Sequence, residues 1–209
     1  KAFKPGSYEL LKLELIPVTG KPLPLELIFT EFEIVEGIND KCMRGHIEFV
    51  DSADITNQVE FTGLEKIDIG FKSTASEDPE IEFQLQVWKS EIGVSEDGSK
   101  KLVRLQLVSP EHYLSPINSI DKAYVETKPS DDAKAIFDET FGKLGKTLEL
   151  HDTDNAHTKI IPNLSVLESF EHLCKVSYAG TFNTSLFRFY ETRDGFHYHN
   201  IEKLINTKR

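Results

Sequence analysis

Apolar and polar residues alternate in steps of two over most of the first half of the chain. From Ser7 to Pro17, Leu11, Leu13 and Leu15 interleave with Lys12 and Glu14, which predicts a half-buried strand ending at the Gly20-Lys21-Pro22-Leu23-Pro24 break. A second strand is expected from Leu25 to Glu36, and a third from Arg44 to Val50, closed by Asp51-Ser52. Ile67, Ile69 and Phe71 alternate with Lys66, Asp68 and Lys72, and Ile81, Phe83, Leu85 and Val87 alternate with Glu82, Gln84 and Gln86, with Ser73 to Pro79 as a polar loop between them. A turn over Ser95 to Ser99 leads into Leu102 to Val108, with Val103, Leu105 and Leu107 facing inward. Short strands with turns roughly every ten residues argue for a small barrel or sandwich over residues 1–110.

The pattern changes after Ser109-Pro110. Ser130 to Gly142 predicts a helix, with Asp131 and Asp132 at its positive end, Ala133, Ile136, Phe137 and Phe141 at helical spacing, and Gly142 and Gly145 as the stop. Ser165 and Glu168 have the spacing of a capping box, opening a helix from Val166 to about Tyr178 whose stripe is Val166, Phe170, Leu173 and Cys174. The run from Phe187 to His199, FRFYETRDGFHYH, predicts a hairpin turning at Asp194-Gly195, on which that stripe docks and which displays its aromatic residues. Residues 111–209 thus form a smaller α+β part, and the fold class is mainly β with an α+β second part. No fixed-period repeat occurs.

Length and charge narrow the function. A chain of 209 residues buries roughly 70 % of its unfolded surface, enough for one large or two small domains, and the change of pattern after Pro110 favours two. No apolar run reaches the roughly 20 residues of a spanning helix, no signal-peptide pattern is present, and Lys1 in place of Met points to a start that is missing or processed. A formal charge of −11 opposes nucleic-acid binding, which draws on clustered Lys and Arg, but suits a surface past which DNA slides without sticking. Cys42 and Cys174 show no metal or redox spacing and read as packed thiols.

Candidate chemistry is sparse. His151, Asp152, Asp154 and His157 could ring a metal ion, or simply form a polar loop before Ile160-Ile161. His197 and His199 share a strand face, solvated or completed by a third ligand. Glu31, Glu33 and Glu36 alternate with Phe32 and Ile34 as a solvent-facing strand edge does, and Trp88, the lone tryptophan, anchors either a core or an interface. No nucleophile elbow or phosphate loop is present. The expectation is a protein with no catalytic, cofactor or metal residues.

In order, GHIEFVDS at 45–52, FTGLEKIDIGF at 61–71 with Glu65-Lys66-Ile67-Asp68-Ile69, LQLVSPEHYLS at 105–115, IIPNLSVLESFEHLCKVS at 160–177 and FRFYETRDGFHYHNIEKL at 187–204 resemble the hub proteins of contractile bacteriophage baseplates, related to type VI secretion spike hubs. The resemblance implies a tail-tube-like antiparallel β-barrel followed by a domain with a Pro-capped helix and an aromatic hairpin. It further implies a homotrimeric ring in the virion tail baseplate, assembled in the bacterial host cytoplasm, with the tail tube and other baseplate proteins above and a spike protein below. DNA would pass through the lumen without specific binding, and no stable membrane insertion is expected. Larger members carry two tube-like barrels per subunit, which let three chains imitate a six-fold ring; one candidate barrel is present here. Two other readings compete: a carbohydrate- or protein-binding β module with a platform of Trp88, Tyr190 and Tyr198, and a metal-dependent hydrolase centred on His151, Asp154 and His157.

Overall fold

A computed structural model describes residues 8–73, 80–95, 98, 100–181 and 183–206. The chain falls into two compact units, one of Lys1–Val35 with Arg44–Ser109, the other of Glu36–Met43 with Pro110–Arg209. The fold is mainly β, with α+β character in the second unit.

The first unit is one curled antiparallel sheet, a half-barrel, in the order β2-β1-β5-β6-β7-β4-β3. Its strands are β1 (Tyr8–Ile16), β2 (Leu23–Pro24), β3 (Phe29–Val35), β4 (Arg44–Val50), β5 (Lys66–Ser73), β6 (Ile81–Val94) and β7 (Lys101–Val108). Alternation sets the inner face: Leu13, Leu15, Ile47, Phe49, Ile67, Ile69, Leu85, Val87, Val103, Leu105 and Leu107 are all buried in one cluster. Burying each such side chain stabilises the sheet by roughly 1.5–3 kcal/mol before entropy is counted.

Three departures from strict alternation matter. A bulge between Leu10 and Lys12 turns Leu11 outward, so Leu10 packs on the core where the period-two count assigned Leu11. The strand expected from Leu25 to Glu36 begins late, because Leu25 leaves the ladder, buries its side chain and donates its N–H to the Leu13 carbonyl at 2.8 Å, and a turn follows. Pairing resumes at Phe29. Finally, β6 does not stop at Val87 but bulges between Val87 and Lys89 and runs on to Val94. The turn beyond it falls partly outside the described residues, at 96, 97 and 99, as does the loop expected at 74–79.

Two carboxylates brace the loops of this unit. Asp51 accepts the N–H groups of Ile55 (2.5 Å) and Thr56 (3.1 Å) and so starts the single-turn helix α1 (Ile55–Gln58). Glu65 is fully buried and accepts the N–H (3.0 Å) and hydroxyl (2.8 Å) of Thr62 and the N–H of Gly63 (3.0 Å). Burial alone would raise both carboxyls, but these donors hold each below its ordinary value.

The second unit contains α2 (Pro110–Ile117), β8 (Ser119–Thr127), α3 (Pro129–Glu139), β9 (Leu148–Leu150), β10 (His157–Ser165), α4 (Val166–Val176), β11 (Phe187–Thr192), β12 (Gly195–Asn200) and α5 (Ile201–Asn206). Of these, α2, β8, β10 and α5 have no counterpart in the sequence expectation. Helix α3 ends at Glu139, short of Gly142, and a 3-10 turn over Phe141–Leu144 follows, closed by Gly145 at φ +84°. Helix α4 opens on the expected capping box, Glu168 accepting the N–H (3.0 Å) and hydroxyl (2.6 Å) of Ser165. Pro162 caps nothing; it lies inside β10, where the register with β8 shifts between Ile161 and Leu164.

The second sheet has the order β11-β12-β9, with β12 and β9 parallel. The hairpin pairs Thr192 with Gly195, so Arg193 and Asp194 form the turn and Gly195 begins β12 instead of sitting in the loop. A Cβ on Gly195 would lie 2.5 Å from the Thr147 hydroxyl, which explains the glycine. The hairpin is a core element and not a display. Phe187, Phe189, Phe196 and Tyr198 are buried under α4, with Phe170 stacked on Phe189 at 3.9 Å and Phe189 on Phe196 at 5.2 Å. Among the described residues, no helix is long and apolar enough to cross a membrane.

Candidate functional sites

Period two on the second sheet builds a polar face opposite this aromatic core. Phe196 and Tyr198 point inward, so His197 and His199 point to the other side of β12. On one flank Tyr190 pairs with His197 and Arg188 with His199; on the other, parallel β9 sets Glu149 beside His197. His151 follows two residues later, on the same side as Glu149, and donates its N–H to the Tyr198 carbonyl at 2.9 Å. The rows Tyr190, His197, Glu149 and Arg188, His199, His151 thus run side by side across three strands.

Contacts fix the rings. His197 Nδ1 lies 3.2 Å from Glu149 Oε2, while its Nε2 meets the Thr192 hydroxyl at 2.8 Å. His199 Nδ1 meets the Tyr190 hydroxyl at 3.1 Å, while its Nε2 lies 3.6 Å from Glu149 Oε1 and has no hydrogen-bond partner. His151 stacks on His199 at 4.0 Å and accepts the Asn200 N–H at 3.2 Å. Burial, with His151 alongside, pushes His199 down to about 4, so at neutral pH the ring is uncharged.

The loop that sequence proximity offered as a metal ring does not converge. Asp154 accepts the Gly180 N–H at 2.6 Å, Asp152 is exposed, and His157 Nδ1 meets the Asn155 amide at 3.2 Å. Only His151 joins the histidine face, because β9 carries it there. Among the described residues the one group of His, Cys, Asp or Glu with metal-ligand spacing is Glu149, His197 and His199. Sequence reading singled out both histidines but not Glu149; the alternation of Leu148-Glu149-Leu150-His151 was the available signal.

Other candidates resolve into packing. Cys42 and Cys174 are free, buried thiols, and burial pushes Cys174 up to about 12, so neither is a ready nucleophile at neutral pH. Glu31 and Glu33 are exposed and flank His46 at 3.7 and 3.4 Å, and Glu36 accepts the Arg193 N–H at 2.8 Å. Tyr190 and Tyr198 are 6 % and 0 % exposed, so the aromatic platform of a carbohydrate-binding module is not assembled.

In the first unit, the noteworthy surface is an edge. Strand β6 pairs with β5 only from Ile81 to Gln86 and with β7 from Gln86 to Val94. Among the described residues no strand pairs with the other edge of 89–94, and Trp88, Ile92 and Val94 along it are 49, 55 and 66 % exposed. Ile92 faces the same side as buried Val103, its register partner, so the apolar inner face continues beyond the covered core.

No protein-family profile matches the sequence, and no curated protein matches it. Solved structures do. The chain is similar to the tail protein from Neisseria meningitidis MC58 (TM-score 0.56, 11 % identity), covering 91 % of this chain and 50 % of that one. It is similar to the 43 kDa tail protein of prophage MuSo2 from Shewanella oneidensis (TM-score 0.57, 11 % identity), covering 92 % of this chain and 53 % of that one. It is also similar to a chain of the lidless PdpA-VgrG complex (TM-score 0.53, 14 % identity), covering 97 % of this chain and 38 % of that one. This chain therefore spans about half the length of the tail proteins it matches, or less of the complex. Its fold is the one these structures share.

Proposed function

We propose that the protein is a hub-type structural component of a contractile phage tail or related injection particle, forming a homotrimeric ring between the tail tube and a central spike. The observation that carries this reading is the likeness over 91–92 % of the chain to two tail proteins, reached at 11 % identity, where shared shape and not shared sequence is what persists. A second observation agrees with it. A strand edge that pairs with no other strand among the described residues, flanked by exposed Trp88, Ile92 and Val94, is an association hazard in a monomer and a joint in a ring, where edge-to-edge pairing between copies satisfies backbone groups along it. The role is mechanical and needs no active site. The sequence charge of −11 suits a lumen that DNA traverses without specific contacts, and assembly in the host cytoplasm into the virion baseplate belongs to the same reading. Light scattering on the size-fractionated protein at assembly-level concentration tests it: trimers or higher rings are expected. A strict monomer that also fails to bind a spike or tube protein would overturn the proposal.

A further inference from the structure

We propose that Glu149, His197 and His199 form a binding site for a divalent transition-metal ion of the zinc type, an ion that staples β9 to β12. The site comes from sheet geometry. Parallel pairing of β9 with β12 sets Glu149 directly beside His197, and the two-residue period returns His199 to the same face. The three ligand atoms, Glu149 carboxylate, His197 Nδ1 and His199 Nε2, all lie within 4.8 Å of one another. The closest pairs are 3.2 and 3.6 Å apart, and tetrahedral bonds of zinc length place ligands about 3.3 Å apart.

Three further features point to a ligand and not to a satisfied polar face. The side chain of His199 is 4 % exposed, yet its Nε2 aims at the Glu149 carboxylate at a distance too long for a hydrogen bond and has no other partner. Each ring holds its far nitrogen on a hydroxyl, His197 Nε2 on Thr192 and His199 Nδ1 on Tyr190, which is the outer support that fixes ligating imidazoles. The Glu149 side chain is 66 % exposed, so an ion reaches the site from solvent. Two imidazoles with one carboxylate suit zinc, and neither calcium nor magnesium, which take oxygen ligands. Three protein ligands leave a fourth position for water or for a donor group from a neighbouring molecule.

This inference does not depend on the ring proposal, and its test reads no assembly. The 209-residue protein is stripped with a chelator and titrated with Zn2+ against a fluorescent competitor, alongside the Glu149→Gln and His197→Ala variants. A Glu31→Gln, Glu33→Gln double variant at the other histidine-glutamate cluster serves as control. One ion per chain is expected, weakened at least about tenfold by each of the first two changes and unaffected by the control. Because Glu149 is exposed, the Glu149→Gln protein folds. No zinc binding, or binding that survives both Glu149→Gln and His197→Ala, overturns the site. Binding lost in the control variant places the ion at His46 and overturns it equally.

Discussion

The half-barrel packs mainly Leu, Ile and Val, with Phe49, largely from one face of a single sheet, with buried Asp51 and Glu65 satisfied by backbone and hydroxyl donors within five residues. The second unit packs aromatic rings from α3, α4 and the hairpin, and its buried carboxylates need lysines from far along the chain. Lys146 donates to Glu111 at 2.9 Å and to Glu191, thirty-five and forty-five residues away, and Glu191 also accepts the Met43 N–H across 148 residues. Lys159 meets Asp132 at 2.6 Å with both side chains only 4 % exposed. The comparison teaches that the strand-and-turn unit satisfies these buried carboxylates with donors close by in the chain, whereas the helix-and-hairpin unit pairs its buried carboxylates with lysines that only the tertiary fold brings near. The groove lined by Lys41, Glu171, Cys174, Phe187 and Arg188 follows the second rule at the surface, Lys41 holding the Glu171 carboxyl down to about 2 through a 2.5 Å contact.

The comparison breaks most visibly at Lys146. Lys146→Met leaves Glu111 and Glu191 buried without their cation and is expected to cost the second unit about 3–5 kcal/mol, measured by hydrogen exchange as lost protection in β11 and β12. An unchanged exchange pattern would show that the ion network contributes nothing. Phe196→Ala, which empties the centre of the aromatic stack, is expected to cost about 3–5 kcal/mol by denaturant unfolding. In the first unit, Glu65→Ala frees the Thr62 and Gly63 donors and is expected to cost about 2–3 kcal/mol, seen through the fluorescence of the lone tryptophan, Trp88, on β6.

Acid should separate buried Asp51 and Glu65 from buried Glu111 by sign. Asp51 and Glu65 have carboxyls lowered in the folded state, so their stabilisation is complete above the unfolded values of 3.8 and 4.5 and is lost as pH falls below them. Burial raises Glu111 above 4.5 despite Lys146, so protonating it on the way down relieves a cost instead of adding one. The Trp88 signal should therefore report loss of stability below about pH 4, with a shallower slope in Glu65→Gln; equal slopes in both proteins would exclude Glu65 as a contributor. The smallest expected effect on folding comes from Trp88→Arg, within about 0.5 kcal/mol at an exposed position, while the same change should reduce ring formation in light scattering.

Residue order alone determined the inner face of the half-barrel from β4 through β7, the capping box at Ser165 and the existence of the closing hairpin, because each depends on neighbours two to four positions away. Tertiary structure decided what bulges and distant pairing control. Leu11 sits at a bulge that turns it from the face its position would predict, the bulge beside Trp88 moves the inner face of β6 from Val87 to even positions such as Ile92, and β8 and α2 lack the strong periodicity that would announce them. The histidine face shows the limit most clearly: sequence proximity tied His151 to Asp154 and His157, but a parallel pairing between strands some 48 residues apart set Glu149 beside His197. Local chemistry fixes which way a side chain points from its strand, and only the pairing of strands fixes which residue it meets there.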